Sequence, residues 1–215
     1  MSTTASLSAA MVPTLREKHA EATRRALIRS ARTLFARRGY EATGVDQIAA
    51  HAGATRGAVY HHFDGKRDLL VAVVDEMQAA LVRQVVEASD RESDAWQRMR
   101  AGLATFLETC TQPATAKVLL VEAPAALGWD AWREIDARHF LGVTRAGIEA
   151  LIAEGHLPAV DAEVLAHLLM AMWTEAALLI VREGRPAGRA RVEAAVEALL
   201  AGLAKGEPSR GDAGD

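Results

Sequence analysis

One cysteine, Cys110, is all the thiol chemistry the chain carries, so no disulfide forms within it and no cysteine-rich zinc or iron-sulfur site is available. A reducing compartment fits that usage. Aromatic residues are only 5% of the chain and prolines number six, and no long alternation of Val, Ile and Thr argues for a sheet. There is no H-E-x-x-H pair and no glycine-rich phosphate loop, and no activating motif stands beside Cys110. An enzyme would therefore have to assemble its site from residues far apart in sequence. The N-terminus lacks a basic segment leading into a long apolar run, so it does not read as a secretory signal. The most apolar later stretch, Val164 to Val181, is interrupted by His167, Thr174 and Glu175. Such groups are expensive inside a bilayer, which favours a buried helix over a membrane span and predicts a cytoplasmic protein.

What is present is a chain of 215 residues, 50% of them hydrophobic, long enough to fill at least one core. Ala, Leu, Glu and Arg dominate, and all lose little or no side-chain freedom in a helix, so the expected class is all-α. The net charge of -3 hides an asymmetry: residues 1–75 hold 11 Lys/Arg against 7 Asp/Glu, while residues 76–215 hold 14 against 21. The basic front contains Arg24, Arg25, Arg29, Arg32, Arg37, Arg38, Arg56, Lys66 and Arg67, close enough to form one electropositive field.

Periodicity and punctuation divide the chain. Residues 1–15 are small and polar and read as a mobile arm. A helix over Glu17 to Arg38 carries the stripe Ala22, Leu27, Ala31, Leu34 and Phe35, and Gly39 stops it. Thr43 with Asp46 offers a capping box for a second helix reaching His51, and Thr55 caps a third after a turn at Gly53. These three would bury Leu27, Ala31, Leu34, Phe35, Val45, Ile48, Ala49, Val59 and Phe63 around one centre, giving a helix-turn-helix unit over 16–65. A fourth helix runs from Lys66 to about Ala88 without a flexible linker. Five more are expected, near 94–111, 114–123, 129–154, 161–182 and 188–203, separated by Pro113, Pro124, Gly155 to Pro158, and Gly184 to Pro186. They form a second helical region over 66–204. The last residues, 205–215, lack an apolar anchor and read as a disordered tail.

The short third helix has the features of a DNA reader. Gly57 and Ala58 keep its first turn slim, Arg56 can make a bidentate pair with a guanine edge or clamp a phosphate, and Thr55 is small enough for backbone contact. Tyr60 and His61 are further candidates, while Val59 and Phe63 face inward. Lys66, beside the free N–H groups that open the fourth helix, and Thr43 and Gly44, at the start of the second, are placed to hold phosphates.

The ordered set Ala31, Phe35, Gly39, Tyr40, Thr43, Val45, Ile48, Ala49, Ala52, Gly53, Thr55, Gly57, Val59, Tyr60, His62, Phe63, Lys66 and Leu69-Leu70 resembles the TetR family of bacterial transcriptional repressors over residues 22–70. The resemblance implies an all-helical homodimer whose N-terminal domain binds an operator and whose larger C-terminal domain receives a small-molecule effector. It assigns Thr43, Gly44, Thr55, Arg56, Gly57, Tyr60, His61 and Lys66 to the operator-facing surface. Gly44 and Ala58 stand where hydroxyl residues are common in the family, so two polar DNA contacts are missing here.

Bulky and adaptable residues of the later helices, Trp96, Met99, Leu103, Phe106, Cys110, Trp129, Trp132, Phe140, Met170, Trp173 and Thr174, are the expected lining of an effector pocket for an apolar or aromatic ligand. His139, Glu122 and Glu175 are expected to orient its polar groups. The Ala/Leu-rich faces of 161–182 and 188–203 suit a four-helix dimer core. A two-fold dimer places its reading helices on half-sites about 34–36 Å apart, or multiples of that spacing. The expected partners are thus a palindromic double-stranded operator, a small effector and a second copy of the chain, with no membrane, cofactor or metal. An activator of the same fold is the nearest alternative, and a helical enzyme a more distant one.

Overall fold

A computed structural model of the chain describes residues 14–184 and 187–204. Residues 1–13 of the expected arm and the whole expected tail, 205–215, lie outside them. All regular structure among the described residues is helical.

Helix α1 (Leu15–Arg38) begins earlier than its apolar stripe indicates, because Thr14 supplies the cap. The Thr14 hydroxyl accepts the Glu17 N–H at 3.3 Å and the Glu17 carboxylate accepts the Thr14 N–H at 2.7 Å, a reciprocal capping box. These bonds to its charged form hold the Glu17 carboxyl below its ordinary pKa. The buried face is Leu27, Ile28, Ala31, Leu34 and Phe35, whereas Ala22, expected on that stripe, is exposed.

Helix α2 (Val45–His51) corrects the expected cap. Gly44 is the N-cap, and the Gln47 side chain accepts its N–H at 3.1 Å. Thr43 cannot serve, because its buried hydroxyl donates to Gly39 O at 2.7 Å. After a turn at Gly53, whose φ of 66° suits a residue without Cβ, helix α3 (Arg56–His62) starts as its sequence indicates. The Thr55 hydroxyl accepts the Ala58 N–H at 3.1 Å. Seven-residue helices do not persist alone, so packing holds them. Ile48, Ala49, Val59 and Phe63 are buried with the α1 face, and Val45 is half-buried. Each fully buried aliphatic or Phe side chain contributes about 1.5–3 kcal/mol.

Helix α4 (Lys66–Ser89) has 24 residues and spans about 36 Å at the usual rise per residue. Its first turns bury Leu69, Leu70 and Val73 with α1, and its later turns bury Met77, Leu81 and Val85 with helices α5 (Ala95–Cys110) and α8 (Trp129–Ala153). Gly102 lets α5 approach α4 closely, since a Cβ there would lie 2.8 Å from Ser89 Oγ.

The region read as one helix over 114–123, stopped by Pro124, does not stop there. It comprises α6 (Pro113–Ala116), a π-helical segment (Lys117–Glu122) and α7 (Ala123–Leu127), which carries Pro124. In the π register, where the Ala123 N–H bonds to Val118 O, the next donor would be the N–H that proline lacks. Leu119 O is freed and accepts the Trp132 indole N–H at 2.8 Å instead. A proline that should break the helix thus becomes a widened turn pinned to α8.

Helix α9 (Ala162–Glu183) packs on α8 and on α10 (Ala187–Ala204), burying Ala166, Leu169, Met170, Trp173, Ala177 and Ile180. By length and composition it could cross a membrane. Apolar residues remain exposed on the α9–α10 pair: Val164, Leu168, Leu179, Val181, Leu199 and Leu203.

Candidate nucleic-acid interface and ligand cavity

Helix α3 presents its first turn and one long face to solvent. Arg56 is exposed there, held by an ion pair to Asp46 Oδ2 at 2.9 Å and lying 5.5 Å from the centre of the Tyr60 ring. Tyr60, 51% exposed, and His61 continue the same surface. Thr55 is exposed with its hydroxyl engaged by the helix end. At Gly57 a Cβ would meet only Thr55 Oγ1, at 3.8 Å, and at Gly44 nothing within 4 Å. Nothing inside the chain crowds these glycines, so the room they leave faces outward.

Two of the eight expected residues sit differently. Thr43 is fully buried and joins the end of α1 to the start of α2, so its side chain is part of the scaffold. Lys66 is not a free cation: its ammonium donates to Tyr40 O at 3.0 Å and stands 4.1 Å from the centre of the Tyr40 ring. It first ties α4 to the loop after α1, leaving the remaining ammonium hydrogens for an external anion. The half-buried His62 ring, by contrast, is kept below its ordinary pKa by burial, with the charges of His61 and Arg24 adding to the effect. The exposed Arg29, Arg32, Arg37 and Arg38 of α1 add positive charge, and Arg24 lies 5.2 Å from the centre of the Phe63 ring.

Three polar contacts join this unit to the π segment and α7. Glu122 accepts the Tyr40 N–H at 2.8 Å, the Lys117 ammonium donates to Arg37 O at 3.3 Å, and Arg67 donates to Leu127 O at 3.1 Å. Gly39 admits the carboxylate, for a Cβ there would lie 2.8 Å from Glu122 Oε1. Glu122 therefore belongs to the junction rather than to a ligand pocket. Its role was invisible in sequence because its partner lies 82 positions away.

A cavity of about 230 Å³ opens between the far end of α4 and helices α5, α8 and α9. Of the expected lining it includes Met99, Leu103, Phe106, Phe140 and Trp173. Sequence reasoning missed Val85, Val86, Thr144 and Gly147, the last making space because a Cβ would lie 3.4 Å from Met99 Cε. Ser89, Asp90 and Arg98 supply polar groups to the lining.

The other expected lining residues lie elsewhere. Trp132 is buried against Leu119 O, and Trp129, 60% exposed, stands 5.2 Å from it ring to ring. Trp96 lies against the His156 ring at 6.4 Å. His139 meets Asp75 at 2.9 Å, while Glu175 is exposed and 3.7 Å from Arg182. Cys110 is buried, and its thiol is pushed up to about 12 by burial and then by the Asp136 charge, so it is inert. Met170 and Thr174 border a second, much smaller void of about 10 Å³, shared with Asp136, Phe106, Phe140 and Trp173. Asp136 is only 5% exposed, with Gln78 Nε2 at 3.2 Å and Arg133 at 2.9 Å. Burial outweighs both partners and raises its carboxyl to about 6.

Asp94, Glu154 and His156 bring three potential metal-ligand atoms within 4.8 Å of one another. Those atoms are already engaged: Asp94 caps α5 through the Gln97 N–H, and Glu154 takes the Ala95 N–H and Arg98. The cluster clasps the start of α5 to the chain after α8.

Residues 27–73 match the family described as bacterial regulatory proteins, tetR family, and residues 96–203 match the tetracyclin repressor-like C-terminal domain. A solved TetR-family transcriptional regulator from Pectobacterium atrosepticum is 35% identical and superposes with a TM-score of 0.75, covering 91% of this chain and 100% of its own. The transposon Tn10 TetC protein of Escherichia coli is 28% identical over 153 residues, 71% of this chain and 77% of TetC. The transcriptional activator FasR of Mycolicibacterium smegmatis is 37% identical over 82 residues, 38% of this chain and 37% of FasR. With both of its regions matched in order and the whole of a solved member covered, the chain belongs to the TetR family of transcriptional regulators.

Proposed function

We propose that the chain is a ligand-responsive repressor that binds a palindromic operator as a homodimer and leaves it when a small, mainly apolar effector occupies the cavity among α4, α5, α8 and α9. The single observation that carries this reading is helix α4. Its first turns share a core with α1 and are tied to Tyr40, while Val85, Val86 and Ser89 near its other end line the cavity. A ligand that prefers one arrangement of those walls biases the position of the helix, and with it the spacing of two reading units.

In this reading 16–65 is the DNA-binding domain and 66–204 the effector and dimer domain, working in the cytoplasm. Arg56, Gly57, Tyr60 and His61 face the bases or their backbone, supported by Thr55 and Gly44. The apolar residues exposed on α9 and α10 form the seam with the second copy. The activator reading is favoured by FasR, a transcriptional activator 37% identical over 82 residues, a likeness that leaves the direction of regulation open.

The test is recovery of genomic fragments bound by the purified protein, followed by light scattering of the complex. Two chains on an inverted repeat support the proposal, and repression of the adjacent gene in a reporter supports its sign. A monomer bound with equal selectivity overturns the architecture, and higher transcription with the regulator present establishes the activator.

A further inference from the structure

Among the described residues, two buried side-chain polar atoms have no hydrogen-bond partner: Gln78 Oε1 and the indole Nε1 of Trp173. The first belongs to an amide whose nitrogen is used, and it stands beside Asp136 within the helix packing. The second is unlike it. Trp173 is 8% exposed, its side chain lines both the main cavity and the small void, and its donor is unpaired. Leaving a buried N–H unpaired lowers an equilibrium constant by roughly one to two orders of magnitude, and nearly all such groups in folded proteins find an acceptor.

Neither polar neighbour at the small void, Thr174 or Asp136, accepts it. The Thr174 hydroxyl is turned back onto Met170 O at 2.9 Å, and the Asp136 carboxylate is held by Gln78 and Arg133. Phe106 and Phe140, edge-on at 5.8 Å, form with Trp173 the wall common to cavity and void.

We infer that the effector is a neutral apolar molecule bearing one carbonyl, whose body fills the cavity and whose oxygen accepts the Trp173 indole N–H. This rests on the reading of the cavity as the effector site and names the ligand class that site selects. A carboxylate is disfavoured at the indole, because Asp136 borders the small void that Trp173 also lines, while Arg98 of the main cavity is already paired with Glu154. A cavity of about 150 Å³ suffices for benzene, so about 230 Å³ has room for one ring or its alkyl equivalent with a short polar extension.

The experiment uses the full-length chain and two matched pairs of probes, acetophenone with α-methylstyrene and cyclohexyl methyl ketone with isopropenylcyclohexane. Each alkene replaces C=O by C=CH₂ with little change of shape. Affinities and the indole N–H resonance, assigned with Trp173→Phe, are read by NMR titration of nitrogen-labelled protein. Because ketone and alkene differ in their own hydration, the decisive quantity is the ketone-to-alkene affinity ratio compared between wild type and variant. It is expected to fall about 5- to 150-fold in Trp173→Phe, and the Trp173 indole proton of the wild type to move downfield with ketones alone.

Should the variant fail to fold, the selective indole shift in wild type decides the matter. If ketones and alkenes bind in the cavity, the ratio is unchanged and the indole proton does not distinguish them, the subsite is wrong while the effector cavity stands. Failure of all four probes to bind overturns both.

Discussion

Replacing Asp136 by Asn should change the pH dependence of stability in a way that depends on how deeply this carboxylate is buried. Its pKa rises from 3.8 to about 6 mainly through burial, despite Arg133 and Gln78. At about 1.4 kcal/mol for each pH unit, that separation amounts to roughly 3 kcal/mol. The native state holds a proton that the unfolded chain releases above pH 3.8, so the stabilisation from a protonated Asp136 is complete below that value and is lost as pH rises through about 6. Asn is nearly the same shape and stays neutral, and like the protonated acid it keeps one carbonyl oxygen, which serves one of the two donors Gln78 and Arg133. The variant should therefore match wild type near pH 4 and exceed it by at most about 3 kcal/mol at pH 7, less whatever Arg133 loses with its ion pair. Urea unfolding across pH 4 to 7.5 at one fixed protein concentration measures this, since the stability of the proposed dimer depends on concentration. A stability difference that does not vary with pH, or an Asn variant weaker at pH 7 than at pH 4 relative to wild type, refutes the assignment of a desolvated carboxylate.

Arg56→Ala should lower affinity for the preferred operator by about 1–3 kcal/mol through loss of a base contact. Competition against random duplex checks it, and an unchanged specificity ratio moves Arg56 to the backbone or the free surface. Lys66→Ala should lower the melting temperature as well as operator affinity, because its charged bond to Tyr40 O is worth about 1.5–3 kcal/mol. A full unit change in salt slope with an unaltered melt would restore Lys66 as a simple phosphate cation. Glu122→Ala should loosen the junction by leaving the Tyr40 N–H unpaired, reducing the effect of ligand on operator binding while ligand affinity is kept; titrations of ligand and operator on the same preparation separate these, and a full response rejects the junction as a coupling element.

The parts of this fold that were legible in the sequence are those decided locally. Thr55 announced α3 because a cap reaches only three residues ahead. The stripe on α1 and the run Leu69, Leu70 and Val73 on α4 were legible because helical periodicity selects a face. The cap of α2 was misread because the Thr43 hydroxyl is turned inward to Gly39 O, the N-cap falls on Gly44, and Gln47 accepts that residue's N–H. Pro124 read as a stop since its effect depends on Trp132, which takes the carbonyl that the proline leaves free.

The site was legible in proportion to its locality. The proposed reading surface lies within one short helix, so Arg56, Gly57, Tyr60 and His61 share one exposed face. The cavity is made by four helices meeting, and large side chains alone did not mark it. Trp132 and Trp129 look like lining but one is pinned to Leu119 O and the other is exposed. Val85 and Gly147 look like ordinary helix residues, yet one supplies a wall and the other the empty volume.

The measurement that tests the central claim most directly is the operator dissociation constant of the full chain with its cavity empty and with it filled. Fluorescence anisotropy of a labelled operator, recovered from the genomic selection, should be titrated without ligand and with saturating acetophenone, occupancy being confirmed by the resonances of Met99 and Trp173. A coupling of about 1–3 kcal/mol corresponds to a 5- to 150-fold weaker complex. That loss of affinity is the result expected of an effector cavity joined to the reading unit by α4. An operator affinity identical at zero and full occupancy would contradict it, since a ligand that binds both states equally shifts neither.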